Sequence, residues 1–332
     1  MSDKTKIEWT DATWNPITGC SVVSAGCKHC YAMKLAGTRL QHHPSRAGLT
    51  QPSAAGPVWT GEVRFNEQWL RQPMRWSRPR MIFVCAHGDL FHESVPDVWI
   101  NRVFAVMALC PEHTFQVLTK RAGRMRDYLS HSHRAALVRE HAIALCGEYI
   151  EWITWPLPNV WLGVSVENQA AADERIPLLL DTPAAVRWVS AEPLLGPVDL
   201  SRWLDLIQYE DGAPWGRRNI GHLHDMLDWV VIGGESGQYA RPMHPDWARY
   251  LRFQCEATGT PFFFKQWGEW AITGHDPVTT PGTAGDLVVG ERVANAIHPD
   301  GTSTLMRRVG KGKAGRLLDG RTWDEYPEVS HG

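Results

Sequence analysis

Short, unbroken apolar runs alternate with segments of helical periodicity over much of the chain. An apolar run bounded by turn residues is typical of a strand buried on both faces of a parallel sheet. Such runs lie within residues 81–86, 114–120, 159–168, 185–193, 229–236 and 260–266. The segments with helical periodicity include residues 31–36, 97–110, 169–180 and 245–259, and a basic helix is predicted after residue 120. Buried strands that alternate with helices predict parallel βα units.

The predicted fold is α/β, a partial parallel (β/α)6-type TIM barrel with loop insertions and a C-terminal extension. We assign the barrel to residues 1–270, with an irregular insertion at residues 200–228. Residues 271–332 are predicted to form a loop-rich extension, because Gly, Thr and Pro become frequent there and several basic residues follow.

Charged residues stand at the C-terminal ends of five predicted strands. They are Asp89, Lys120, Glu167, Glu192 and Glu235. In a (β/α) barrel these strand ends meet at one mouth, where the active site is built. A single acidic residue after a strand is commonly a helix cap, but five equivalent positions favour a shared site.

A cysteine-rich loop follows the first predicted strand, which lies within residues 7–19 and is expected to break at Asn15-Pro16. Cys20, Cys27 and Cys30 are spaced C-x6-C-x2-C, and a glycine precedes each of the first two. The glycines allow the backbone to fold tightly around a bound centre. Because four cysteines would close an iron–sulfur cubane, three predict an iron–sulfur cluster with one iron left open. We expect this cluster loop, residues 18–31, to lie at the mouth of the barrel.

Other interpretations of the loop and of the strand ends stay open. His29 or a distant histidine could join the three thiolates in a closed zinc site. A redox-active C-x2-C pair would need a thioredoxin-like unit and leaves the third cysteine without a role. The alternative function is therefore a non-catalytic, zinc-stabilised protein that binds nucleic acid or a partner. A barrel hydrolase that uses Glu167, Glu192 and Glu235 as acid–base groups is a third hypothesis.

Amino-acid composition limits which binding partners and which cellular compartment the sequence predicts. The 34 Lys and Arg residues nearly balance 36 Asp and Glu residues, so no overall field attracts nucleic acid or an anionic membrane. The cysteine count is seven, and the four cysteines outside the loop are isolated in largely apolar segments, which favours a reducing compartment. Neither a signal peptide nor an apolar run of about 20 residues is present. We expect a cytoplasmic monomer that makes no contact with membranes.

The chain contains 17 tryptophans, which outnumber the other aromatic residues. Most are expected in the core, because tryptophan contributes a large apolar area. Near the cysteine loop, Trp14 is a candidate for stacking on a substrate ring. Lys120, at a strand end, is a second candidate for substrate binding.

Several motifs are similar to those of a phage-associated, three-cysteine-motif family within the radical S-adenosylmethionine superfamily. They lie at residues 13–16, 19–20, 26–32, 89–92, 117–121, 161–168, 190–195, 232–236 and 315–321. The resemblance covers about residues 5–270 and the last of these motifs. The first cysteine gap is longer than the C-x3-C-x2-C spacing usual in the superfamily.

The resemblance implies a [4Fe-4S] cluster on Cys20, Cys27 and Cys30, with the methionyl group of S-adenosylmethionine on the open iron. One electron from an external donor would cleave the sulfonium, and the resulting 5′-deoxyadenosyl radical would abstract hydrogen from a substrate. The phage association, with local arginines and tryptophans, favours a nucleotide or a base in phage DNA as that substrate. A peptide or a small metabolite is the alternative.

The resemblance also implies contacts to S-adenosylmethionine beyond the cysteines. Gly88 and Asp89 take the place of the element that binds the methionyl amine, and Tyr31 follows the third cysteine. Ser165 and Glu167 are implied for the carboxylate and the ribose hydroxyls. Contacts to adenine or to the substrate are implied at Ser190, Glu192, Gly234 and Glu235.

Overall fold

The structure, a computed structural model, describes residues 5–207, 216–217, 226–272, 293–297 and 301–328. Most of the insertion predicted at residues 200–228, and part of the predicted extension, lie outside the described residues. None of the helices in the described ranges is both long and apolar enough to cross a membrane.

The α-helices of the described residues include those that the periodicity predicts. They are α1 (Tyr31–Ala36), α2 (Glu67–Leu70), α3 (Asp97–Ala108), α4 (Ala122–Leu129), α5 (Arg134–Cys146), α6 (Gln169–Leu180), α7 (Pro245–Thr258) and α8 (Lys311–Ala314). Helix α5 was not predicted. The sequence analysis placed a basic helix after residue 120, which is α4, and assigned nothing to the segment that follows.

The strands include both the predicted buried runs and several short pieces. They are β1 (Ala12–Trp14), β2 (Ile17–Thr18), β3 (Thr50–Gln51), β4 (Val58–Trp59), β5 (Arg64–Phe65), β6 (Met81–Val84), β7 (Thr114–Thr119), β8 (Val160–Ser165), β9 (Val186–Ala191), β10 (Leu206–Ile207), β11 (Gly216–Arg217), β12 (Trp229–Gly233), β13 (Phe262–Gln266), β14 (Trp270–Ile272), β15 (Val293–Ile297) and β16 (Ser303–Arg308).

The main sheet confirms the predicted α/β class. Within the described residues it has seven strands in the order β1-β6-β7-β8-β9-β12-β13, and each lies inside a predicted strand segment. The pairs β1–β6, β6–β7, β7–β8 and β12–β13 are parallel. Every residue of β8 and of β12 is buried, as expected for strands covered on both faces. The sheet is a parallel half-barrel flanked by helices, compatible with a partial TIM-like fold.

Tryptophans fill the interior, as the sequence analysis expects. Trp9 packs against the Trp188 ring, with ring centroids 5.2 Å apart. A Cβ on Gly163 would lie 2.5 Å from the Trp188 ring, so glycine in β8 makes room for the indole. Trp14 is fully buried, and its indole N–H donates to the Trp69 carbonyl at 2.8 Å. The Trp14 ring therefore belongs to the core and has no face exposed to a substrate.

The chain divides into two compact units. The first comprises Met1–Ser165 and Arg175–Trp188, and the second comprises Val166–Glu174 and Val189–Gly332. The second unit includes the small antiparallel sheet β14-β16-β15. The described part of the predicted extension thus contains β15, β16 and α8, and folds as part of this unit.

The described end of the chain covers the edge strand β13. The Phe264 N–H donates to the Trp323 carbonyl at 2.9 Å, and the Glu325 N–H donates to the Phe262 carbonyl at 3.3 Å. The Trp323 ring is buried and meets the Phe262 ring edge-on. Pairing of this kind protects a strand edge that would otherwise expose a row of unpaired backbone groups.

Asp319 links the same terminal segment to α7 through ion pairs. Its carboxylate accepts from Arg249 at 2.8 Å and from Arg252 at 2.6 Å. The hydrogen bonds from these two guanidinium groups lower the pKa of Asp319. A carboxylate with a lowered pKa stabilises the folded state above its unfolded pKa, and this stabilisation is lost as pH falls through the folded value.

We expect Asp319→Asn to lower the free energy of unfolding at pH 7 by less than about 1 kcal/mol, since the ion pairs are partly exposed. Urea denaturation between pH 7 and pH 2.5 checks this. The difference from the parent should shrink as pH falls below the unfolded Asp pKa of about 3.9 towards the lowered pKa of folded Asp319. Glu174→Gln, at an exposed position, is the control and should show no such pH dependence. A difference that is as large at pH 2.5 as at pH 7 would contradict the assignment to charge.

Candidate metal centre

The cysteine loop leaves the sheet beside the loop that follows β6. The Gly19 N–H donates to the His87 carbonyl at 3.2 Å, and Gly19 forms a parallel bridge with Gly88. The chain then passes through a short 3-10 turn at Ala25–Cys27 and enters α1. The structure therefore contains the predicted unit of strand, cysteine loop and helix.

Two glycines make this close approach of two backbones feasible. Gly19 has a φ of +97°, and a Cβ there would lie 2.2 Å from the Glu62 carbonyl oxygen. A Cβ on Gly88 would lie 3.0 Å from the Gly19 carbonyl oxygen. The base of the cysteine loop is therefore held tightly between neighbouring segments.

The three cysteines are free thiols of differing exposure. Cys27 is buried, and its sulfur lies 3.7 Å from the Ser24 hydroxyl. Cys20 and Cys30 are half-buried. Cys30 is the residue before α1, and burial raises the pKa of its thiol, whereas backbone N–H groups of the first helical turn donate to the sulfur and lower it. Helix α1 thus directs its amino-terminal amides at one of the three sulfurs.

Cys20 lies between opposite charges. Burial and the Asp89 carboxylate raise the pKa of the Cys20 thiol to about 12, while the Arg121 guanidinium acts in the opposite direction. The negative charge of Cys30 also acts on Cys20, and that of Cys27 acts on Cys30, so the thiols lie close enough to interact. Thiols with raised pKa values lose their protons when a metal binds, because the metal stabilises the thiolate.

Arg121 is a site residue that the sequence analysis missed. Its Nη1 lies 3.6 Å from the Cys20 sulfur, and its Nη2 donates to the Ser21 hydroxyl at 2.6 Å. The same guanidinium donates to Asp89 and to Glu93, each at 3.0 Å. In the sequence, Arg121 is one of several arginines after the third predicted strand. Its position directly after Lys120, at a strand end, was the available signal.

Asp89 accepts four hydrogen bonds from the protein. Oδ1 accepts from the Thr119 hydroxyl at 2.7 Å and from the Phe91 N–H at 3.0 Å. Oδ2 accepts from Arg121 at 3.0 Å and from the Lys120 N–H at 3.4 Å. These donors match the roughly four lone-pair positions of a carboxylate. A contact from Asp89 to the methionyl amine stays a prediction, and such an amine would share these oxygens with the protein.

Tyr31 and Lys120 lie near the same loop. The Tyr31 hydroxyl donates to the Ala86 carbonyl at 2.6 Å, and its half-exposed ring meets the His87 ring edge-on. The positive charge of Lys120 acts on the Cys30 thiol. The structure therefore brings together the three cysteines and four predicted contacts of the first unit. Those four are Tyr31, Gly88, Asp89 and Lys120.

Ser165 is the last residue of β8 and also belongs to the first unit. It is buried, and its carbonyl accepts a hydrogen bond from Arg175 at 2.7 Å. Its predicted contact to S-adenosylmethionine stays a prediction.

The other predicted contacts lie in the second unit. Glu192 pairs with Lys265 at 2.8 Å and accepts from the Ser190 hydroxyl at 3.2 Å. A Cβ on Gly233 would lie 2.8 Å from the Glu192 carboxylate, so glycine in β12 leaves space for that group. Lys265 was not predicted. Its signal was the single charge at the end of the apolar run at residues 260–266.

The Gly-Gly-Glu segment after β12 is also built around close contacts. A Cβ on Gly234 would lie 2.1 Å from the Trp267 carbonyl oxygen. Glu235 is buried, and both of its oxygens accept from the Arg241 guanidinium at 2.6 and 2.8 Å. Glu167 is almost completely buried, and its carbonyl accepts from the Leu195 N–H at 2.8 Å. The roles predicted for Gly234, Glu235 and Glu167 stay predictions.

Comparison with protein families identifies a match over most of the chain. A family model described as "Protein of unknown function (DUF5131)" matches residues 4–327. The chain belongs to this family. Comparisons with curated proteins and with solved structures give no match. The match includes the cysteine loop and residues of both compact units of this DUF5131 member.

The donor chemistry of the loop provides a test of the implied cluster. Among the described residues, no three His, Cys, Asp or Glu side chains are gathered into a metal-binding group. The DUF5131 member nevertheless presents three thiols in one loop, which are the ligands that iron–sulfur clusters use. Arg121 donates to the Cys20 sulfur and backbone amides donate to the Cys30 sulfur. Hydrogen bonds to sulfur of this kind support such clusters, so the residues present fit the group.

Proposed function

We propose that this chain is a radical S-adenosylmethionine enzyme whose [4Fe-4S] cluster is held by Cys20, Cys27 and Cys30. The main support is the cysteine loop, which follows β1 and β2 and leads into α1. Two of its sulfurs accept hydrogen bonds, one from Arg121 and the other from backbone N–H groups of α1. We further propose that the half-barrel is a (β/α)6-type partial TIM barrel with loop insertions. Ligands of parallel α/β folds bind at the carboxyl ends of the strands, where this loop begins.

When bound, such a cluster supplies one electron, taken from an external donor, that splits S-adenosylmethionine into methionine and a 5′-deoxyadenosyl radical, which takes hydrogen from the substrate. The chain's own residues position and shield this chemistry. Asp89 joins the loop after β6 to the end of β7 through Thr119. The neighbouring side chains of Leu90 and Phe91 are fully buried and keep water away from that junction.

The proposed substrate is a nucleotide or a base in nucleic acid. Lys28 in the cysteine loop, and Lys34 in α1, are exposed. Lys120 adds a third positive charge near Cys30. Positive side chains around the loop suit the phosphates of such a substrate, although the net charge of the chain is −2.

We also propose a reducing compartment, the cytoplasm, and an external one-electron donor. All seven cysteines are free in the structure. A chain with many unpaired thiols suits a reducing compartment.

Anaerobic reconstitution with iron and sulfide tests the proposed function. We expect a brown protein with about four irons per chain. After reduction with dithionite it should convert S-adenosylmethionine to 5′-deoxyadenosine, measured by chromatography. Single-stranded DNA, double-stranded DNA, RNA and mononucleotides should be added separately, and at least one is expected to stimulate the reaction. Tightly bound zinc that iron does not replace, with no 5′-deoxyadenosine formed, would instead support the zinc protein.

A further inference from the structure

Arg121 connects the cysteine loop to two carboxylates. Its side chain is 5% exposed, and the Asp89 side chain that it pairs with is 7% exposed. The Glu93 side chain is 64% exposed, so water screens its charge strongly. The Arg121 guanidinium and the Asp89 carboxylate are therefore the buried charged pair that acts on Cys20.

We propose that Arg121 and Asp89 form a charge pair that sets the reduction potential of the cluster bound at Cys20. This inference rests on the proposed function. Reduction adds one electron to the cluster, and dithionite supplies that electron in the assay. A positive group that donates to a ligand sulfur favours the more negative, reduced state, and a nearby carboxylate disfavours it.

The geometry gives the two members opposite effects. Nη1 of Arg121 lies 3.6 Å from the Cys20 sulfur, so the positive charge of the guanidinium is next to the proposed iron ligand. Asp89 is held in place by Thr119 and by two backbone N–H groups, independently of Arg121. Loss of Arg121 therefore leaves the Asp89 charge close to Cys20 without its counter-charge. Loss of the Asp89 charge leaves the Arg121 cation paired with the exposed Glu93 carboxylate, whose charge water screens.

The test is a redox titration of the reconstituted protein, monitored by the electron paramagnetic resonance signal of the reduced cluster. Arg121→Gln should lower the ratio of reduced to oxidised cluster at a fixed potential at least tenfold, a shift of about 59 mV to more negative potential for a one-electron couple. Asp89→Asn should shift the potential in the positive direction. The double variant should lie between the two single variants, and Arg121→Lys, which keeps the charge, should stay nearer the parent than Arg121→Gln.

Arg126→Gln is the matched control. Arg126 lies further along α4 and pairs with Asp127, outside the cysteine loop. Its loss removes the same charge and should leave the potential unchanged. Iron and sulfide analysis of every variant establishes that a cluster is present before potentials are compared.

The outcomes separate this assignment from the proposed function. Opposite shifts for the two single variants support the charge pair, because structural damage alone would not reverse sign. Shifts in the same direction, or none, with intact clusters overturn the charge pair and leave the enzyme assignment standing. If Arg121→Gln fails to fold, Asp89→Asn still decides, since an unshifted or more negative potential overturns the pair. A parent protein that assembles no cluster overturns both proposals.

Discussion

Replacing Cys27 with alanine is expected to lower the iron content of the reconstituted protein from about four per chain to background. Production of 5′-deoxyadenosine should fall by more than about a hundredfold, since even residues that only support metal ligands contribute 10- to 100-fold. Cys27 is the most buried of the three thiols, and its loss removes one of the proposed iron ligands. Iron analysis and chromatography of the reaction measure both effects.

Cys146→Ala is the matched control for Cys27→Ala. Cys146 lies at the end of α5, and its sulfur is hydrogen-bonded to backbone groups of Ile143 and Glu148. This variant should keep its iron and its production of 5′-deoxyadenosine. A Cys27→Ala protein that retained full production would show that the cysteine loop has a different role.

Gly19→Ala is expected to lower the free energy of unfolding by about 3 kcal/mol, the sum of backbone strain and overpacking. Gly19 has a φ of +97°, which residues with a Cβ rarely adopt. The added Cβ would also lie 2.2 Å from the Glu62 carbonyl oxygen, and backbone cannot move aside as a flexible side chain can. Urea denaturation of the metal-free protein measures the loss.

Gly48→Ala separates the two contributions to this loss. Gly48 also has a positive φ, +81°, but nothing lies within 4 Å of the position of its Cβ. It should therefore show only the conformational cost, about 1–2 kcal/mol. Equal losses of unfolding free energy in both variants would mean that the contact with Glu62 does not contribute to the loss.

The interior strands could be predicted because their signal is local. Residues 81–86, for example, form an apolar run between turn residues, and the structure places β6 there. The break predicted at Asn15-Pro16 is also present, since β1 ends at Trp14 and β2 begins at Ile17. Proline lacks the N–H that a strand interior needs, so one residue type marks the boundary.

The surroundings of the cysteines could not be predicted in the same way. Arg121 lies 101 residues from Cys20 along the chain, and no periodicity relates the two positions. Asp89 was predicted as a site residue from its place at a strand end. Its four hydrogen bonds, three of them from groups beyond residue 118, became visible only when β6 and β7 were paired.

The sequence by itself determined the α/β class, the positions of the sheet strands and the grouping of three cysteines between β1 and α1. These features follow from the period of apolar residues and from short spacing, both of which are local properties of a chain. Only the tertiary structure decided that Arg121 contacts the Cys20 sulfur, that Trp14 is buried in the core, and that Trp323 covers the edge of β13. Such contacts depend on strand order and packing, which join residues far apart in the chain and leave no repeating pattern in it.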